Sequence, residues 1–79
     1  MQIQMFAAAK DLAGSDAIEV DFCFPIEAWA IKEAIVAQCP NLKPLVEHSR
    51  IAVDGRYMAD DAQVHAATEI ALIPPVSGG

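Results

Sequence analysis

Hydrophobic and polar positions alternate from the first residues of the chain, with Ile3 and Met5 on one side and Gln2, Gln4 and Phe6 on the other. A period of two is the signature of a half-buried strand, so residues 2–7 are predicted as one, with Phe6 stranded on the polar face. After Leu12, the segment Ala13-Gly14-Ser15-Asp16 reads as a turn. Ile18, Val20 and Phe22 then alternate with Glu19 and Asp21, which predicts a second strand, and the short spacing predicts an antiparallel hairpin. Pro25 closes that strand. Residues 26–39 contain neither Gly nor Pro, and Ala28, Ile31, Ile35 and Cys39 recur at spacings of three and four. That spacing predicts the one long helix, with Lys32, Glu33 and Gln38 facing water and Trp29 and Val36 beside the apolar stripe, Trp29 as a partly buried edge of the core.

Pro40-Asn41 stops the helix, and Leu42, Leu45 and Val46 predict a short irregular or 3₁₀ connection. Ile51 and Val53 mark a third strand, Asp54-Gly55 is a two-residue hairpin signal, and Arg56-Tyr57-Met58 begins the return. Residues 60–68 are a polar connection. In residues 69–73, the last strand, Ile70 and Leu72 point to the core while Ala71 and Ile73 share the outer face. A hairpin, a crossing helix and later strands is the β-grasp order: an α+β, ubiquitin-like domain over residues 1–73, its mixed sheet packed on one main helix, followed by an extended tail over residues 74–79.

The same alternation gathers Phe6, Ala52, Tyr57 and Ile73 on the side of the sheet away from the helix. An apolar patch exposed on a small monomer marks an interface. The competing readings are that a loop covers it, or that a register shifted by one residue turns these side chains inward.

Composition narrows the candidate functions. The 79 residues, 54% of them hydrophobic, suffice for one small core and leave little room for a deep active site. A net charge of −6 with five basic residues argues against nucleic acid, whose phosphates are bound by Lys and Arg, and suits a basic protein partner. There is no apolar run of membrane-spanning length and no signal-peptide pattern, so a cytoplasmic location is expected, with no membrane partner. Cys23 and Cys39 lack metal-ligand spacing and read as small buried hydrophobes. His48 and His65 are isolated from any nucleophile and read as surface residues. No metal site is expected.

The chain runs out in Pro74-Pro75-Val76-Ser77-Gly78-Gly79. Gly78 and Gly79 have no Cβ, so a backbone built from them enters a channel too narrow for a side chain. The two prolines favour an extended stem that holds the segment away from the domain. A frayed terminus is the plainer alternative. A tail of this kind makes the Gly79 carboxylate the candidate reactive group, with Gly78 beside it and Pro74, Pro75, Val76 and Ser77 as the stem a partner would grip.

Three blocks carry a resemblance over essentially the full length: Phe6-Ala7 with Lys10 and Leu12-Ala13-Gly14, then Ala52-Val53-Asp54-Gly55, then Glu69 through Ile73 into the Pro-Pro-Val-Ser-Gly-Gly end. Together they make the chain resemble the molybdopterin synthase small-subunit family, ubiquitin-like sulfur carriers of molybdenum cofactor biosynthesis. It departs from the family pattern at Glu27, where Thr is usual before the helix, and at Ala66-Ala67-Thr68, where an Asp-Gly-Asp turn is usual.

The resemblance implies a sulfur-donating subunit with no general acid or base of its own and no bound cofactor. It implies that an E1-like activating enzyme uses ATP to adenylate Gly79, that sulfur displaces AMP to leave a thiocarboxylate, and that this sulfur is delivered to the pterin precursor. The partner implied is the molybdopterin synthase large subunit, in a 2+2 heterotetramer, with Phe6, Tyr57, Ile73 and the residues 74–77 in contact with it. A carrier for thiamin or tRNA thiolation and a ubiquitin-like modifier of lysines share the diglycine end and stay open at this point.

Overall fold

The computed structural model describes residues 1–75, and its central feature is a five-stranded sheet in which the last strand lies in the middle. The strands are β1 (Gln2–Met5), β2 (Ala17–Glu19), β3 (Ile26–Glu27), β4 (Arg50–Val53), β5 (Arg56–Met58), β6 (Gln63–Val64) and β7 (Ile70–Ile73). The main sheet has the order β2-β1-β7-β4-β5, and β3 and β6 form a separate two-stranded ribbon. Only the β1–β7 pair is parallel, with Ile3 opposite Ile70 and Met5 opposite Leu72, so the sheet is mixed as expected. One face packs on α2 (Ala28–Gln38), and the fully buried side chains between them include Ile3, Ile31, Ile35, Ile51, Ile70 and Leu72.

The first hairpin is antiparallel, with Ile3 opposite Ile18, yet its two strands are not joined by a simple turn. Residues Ala7–Ala13 form a helix, α1, which the strand alternation of residues 2–7 obscured. Ala7-Ala8-Ala9-Lys10-Asp11-Leu12-Ala13 is rich in strong helix formers, and buried Ala9 anchors the helix to the core. Gly14 ends it at φ 72°, a left-handed conformation suited to glycine, and its N–H donates to the Lys10 carbonyl.

The N-terminus of α2 has no side-chain cap. The N–H groups of Ala28 and Trp29 instead donate to the carbonyls of Ala62 and Asp60, at 3.0 and 2.9 Å. Residues 60–68 are therefore more than a polar connection, since β6 pairs with β3 and the preceding turn satisfies helix donors that would otherwise have no partner. Glu27 takes up the Trp29 indole N–H with its carboxylate.

Beyond α2, Pro40–Leu42 is a 3₁₀ turn and Lys43–Val46 a single helical turn, α3, burying Leu42 and Val46. Asp54 and Gly55 join β4 to β5 with φ of 48° and 83°, the two positive values of a type I′ turn. Two expectations are corrected. Cys23 is exposed rather than buried, because β2 ends at Glu19 and the Phe22-Cys23-Phe24 segment runs outside the sheet, while Cys39 is half-buried and both thiols are free. Trp29 leaves 45% of its surface to solvent, because it lies off the buried stripe of Ala28, Ile31 and Ile35.

Candidate docking face and tail root

The open face of the sheet is built by the register of its strands. Ala52 lies opposite Ala71 on β7 and opposite Tyr57 on β5, and Gln4 on β1 lies opposite Ala71 on the other side. Core residues alternate with these positions: Ile51 and Val53 are buried in the core while Ala52 lies on the opposite face, and Ile70 and Leu72 are buried in the core while Ala71, itself buried, and half-buried Ile73 lie on the opposite face. Two alanines in the middle of the row keep its floor low. Phe6, Tyr57 and Ile73 rise around that floor and, with Gly55 and Glu69, line a depression of about 280 Å³. Phe6 and Tyr57 are 48% and 62% exposed, so no loop among the described residues covers them, and the predicted register holds.

Phe6 owes its place to a sharp change of direction. It is extended at φ −125° and ψ 152°, which continues the alternation of β1, and Ala7 then takes φ 50° to turn the chain into α1. The Phe6 carbonyl accepts from the N–H groups of Ala9 and Lys10, so the start of the helix fixes the backbone that carries the ring.

A second depression, of about 360 Å³, adjoins the first through Tyr57 and Ile73 and reaches Pro74 and Pro75. His48 and Arg50 complete its lining, and the Arg50 guanidinium carbon lies 5.8 Å from the centre of the Tyr57 ring, within cation–π range. Pro74 is buried and Pro75 exposed, so the chain leaves the domain at this point. Of the residues expected to act, Phe6, Tyr57, Ile73, Pro74 and Pro75 are brought into one continuous surface. Val76, Ser77, Gly78 and Gly79 lie outside the described residues.

Sequence alternation alone did not single out Glu69, His48 and Arg50. Arg50 was within its reach, since the order Arg50-Ile51-Ala52-Val53 puts it on the face of Ala52. His48 follows α3 in a turn, where no periodicity applies. Among the described residues no cluster of His, Cys, Asp and Glu could hold a metal ion, and no helix is long and apolar enough to cross a membrane. A wider cleft of about 530 Å³ lies across the molecule between α2 and α3, lined by Trp29, Val36, Ala37 and Val46, and none of the tail-root residues borders it.

Three of the cations are held in ion pairs. The N-terminal ammonium is paired with Glu19, Lys10 with Asp16 at 2.8 Å, and Lys32 with Asp60 at 3.3 Å. The Asp16 carboxylate accepts from Lys10 and, by that hydrogen bond and its charge, holds the ammonium pKa above the usual lysine value. Arg50 has no carboxylate within ion-pair distance among the described residues.

Comparison with known proteins agrees with this geometry over the whole chain. The ThiS family profile matches residues 3–79. The chain is 31% identical to the molybdopterin synthase sulfur carrier subunit of Dictyostelium discoideum, covering 99% of this chain and 94% of that one. It is 30% identical to the subunit of the same name from Escherichia coli, covering 100% and 99%. Among solved structures, SAMP1 from Haloferax volcanii superposes with a TM-score of 0.82 at 30% identity, covering 100% of this chain and 98% of that one. The resemblance drawn from the three sequence blocks and the ubiquitin-like fold are both borne out, and the chain belongs to the ThiS family.

Proposed function

We propose that this protein is the sulfur carrier subunit of a molybdopterin synthase. The observation that carries the reading is the match, end to end, to sulfur carrier subunits of that enzyme, in a chain whose open sheet face runs without interruption into the root of a diglycine tail. Residues 1–73 act as the docking domain and residues 74–79 as the arm that carries the reacting atom.

A carboxylate is a poor electrophile, so the Gly79 carboxylate must be activated first. An oxygen of that carboxylate attacks the α-phosphorus of ATP on an E1-like activating enzyme, giving an acyl adenylate and releasing pyrophosphate. Sulfur at the sulfide level, HS⁻, then attacks the acyl carbon, AMP leaves with the electron pair of the broken C–O bond, and the thioacid gives its proton to solvent. The thiocarboxylate that remains holds a soft, anionic sulfur, the nucleophile for the pterin precursor in the large subunit. This reading assigns the proton transfers and oxyanion contacts to the partner, because among the described residues the titratable side chains at the tail root are His48, Arg50 and Tyr57 alone. A 2+2 heterotetramer in the cytoplasm, with no nucleic acid, is the assembly this reading implies.

Similarity to SAMP1, a small archaeal modifier protein, favours a second use of the same terminus, attachment to lysine amines. One assay separates the two. Incubation with activating enzyme, ATP and a sulfur donor should give, by mass spectrometry, the gain of one oxygen-to-sulfur exchange at the terminus, and the product should convert the pterin precursor when the large subunit is added. Isopeptide adducts without that exchange would replace the carrier reading with the modifier. Deletion of Gly79 draws the carboxylate back by up to about 3.5 Å, the reach of one extended residue, and should abolish both while leaving the fold intact.

A further inference from the structure

The open face is polarised along its length. Glu69 precedes β7 at one end of the first depression, and Arg50, opposite Ile73, stands at the other end beside the tail root. Glu69 and Ile73 are four residue steps apart along the chain, roughly 13 Å at about 3.3 Å per step. Between these poles the surface is apolar: Phe6, Ala52, Tyr57, Ala71 and Ile73.

Among the described residues Arg50 is the one permanent cation that lines either depression, in a chain whose net charge is −6. Its guanidinium carbon lies over the Tyr57 ring, 5.8 Å from the centre, a contact with the ring face that leaves the N–H edge free. A guanidinium laid over a ring keeps its N–H groups in its own plane, where they remain available as a fork for a carboxylate. The two other Lys or Arg side chains with no ion pair among the described residues, Lys43 and Arg56, line neither depression. Arg56 lies opposite core residue Val53, so its side chain starts on the far face of the sheet.

The geometry points to Arg50 as a positioning residue that takes a carboxylate of the large subunit at the mouth of the channel that receives the tail. The inference rests on the sulfur-carrier reading above and deepens it. The occupant follows from charge and continuity: the unpaired fork adjoins both the apolar patch and the Pro74-Pro75 exit, so a partner that covers the patch and admits the tail must lie over it. Covering an arginine without an acceptor costs too much to be compatible with a stable complex. An Asp or Glu there also fixes direction, since docking turned end for end would set the partner carboxylate against Glu69.

The net acidity of the chain makes the test a matter of sign. If only the overall field mattered, a basic partner would bind the more acidic Arg50→Glu variant more tightly. With a local carboxylate, Arg50→Glu should bind the large subunit from the same source about 30-fold more weakly or worse. Arg50→Met, which keeps an apolar stem over Tyr57, should lose about 10-fold, and Arg50→Lys should fall between it and the wild type. Thermal melts should match the wild type for all three, because Arg50 is exposed. Reversal of one Asp or Glu of the large subunit to Arg should restore binding of Arg50→Glu, an effect no loss of ring packing would give. If the wild type binds and Arg50→Glu binds equally or more tightly, the inference is overturned while the carrier reading stands. If the wild type forms no complex, that reading falls and the inference with it.

Discussion

Truncation of Tyr57 tests the docking face most directly, because the exposed area sets the size of the effect. Tyr57 leaves 62% of its surface in solvent, about 120 Å² on an aromatic side chain of roughly 200 Å². Covered by a partner, that area is worth about 3 kcal/mol at about 25 cal/mol per Å², and about 2 kcal/mol once the hydroxyl and incomplete coverage are discounted. Tyr57→Ala should therefore weaken the complex with the large subunit about 30-fold, since about 1.4 kcal/mol corresponds to each factor of ten. Leu12 is the control, being as exposed as Phe6, at 48%, but on α1 and outside both depressions. Isothermal titration should show Leu12→Ala binding as the wild type, with both variants folded by circular dichroism. Equal losses at Tyr57 and Leu12 would reduce the effect to general surface hydrophobicity. Wild-type affinity in Tyr57→Ala would remove the sheet face from the interface.

Asp54 accepts from the N–H groups of Thr68 and Glu69, at 3.0 and 2.8 Å, so Asp54→Ala should destabilise the domain by about 1–2 kcal/mol in urea unfolding, and Asp54→Asn, which keeps an acceptor and tolerates positive φ, by less. Because the Lys10 pKa is raised, its ion pair with Asp16 contributes fully below the ordinary lysine pKa of about 10.4 and is lost as pH rises through the higher folded value. An NMR titration should show the Lys10 midpoint falling in Asp16→Asn, and an unmoved midpoint would refute that cause. Eleven acidic against five basic residues should make association with the activating enzyme and the large subunit slow as salt rises, and stopped-flow on-rates indifferent to ionic strength would contradict this steering.

What the chain declared of itself follows from how local each signal is. The alternation of Ile3 with Met5, of Ile51 with Val53 and of Ile70 with Leu72 placed the inner face correctly, and with it Phe6, Ala52, Tyr57 and Ile73 on the outer one, because period two depends only on neighbours two residues away. The Asp54-Gly55 turn was equally legible, being a two-residue backbone requirement. Helix α1 was not, because seven residues of high helix propensity follow a strand whose alternation runs on through Phe6. The pairing of β3 with β6 joins Ile26 to Val64 and Glu27 to Gln63, far apart in the chain, and involves two residues on each strand, too little to leave a periodic trace. Exposure of Trp29 and Cys23 was hidden for a related reason: an apolar side chain looks the same in the sequence whichever way its element is turned. Arg50 at the tail root needed the partner strand, since only the register with Ile73 shows what it adjoins.

The central position of β7 has a mechanical consequence. Its two edges are held by β1 and β4, and the residues that leave the domain continue directly from its end. An enzyme that grips the arm and draws on it pulls along the axis of β7, at right angles to its antiparallel hydrogen bonds and across the slanted ones to β1. Such a load shears both ladders at once and does not peel them bond by bond, as it would if the arm sprang from an edge strand. The domain is thus built to bear a load applied through its last strand with both neighbouring ladders engaged.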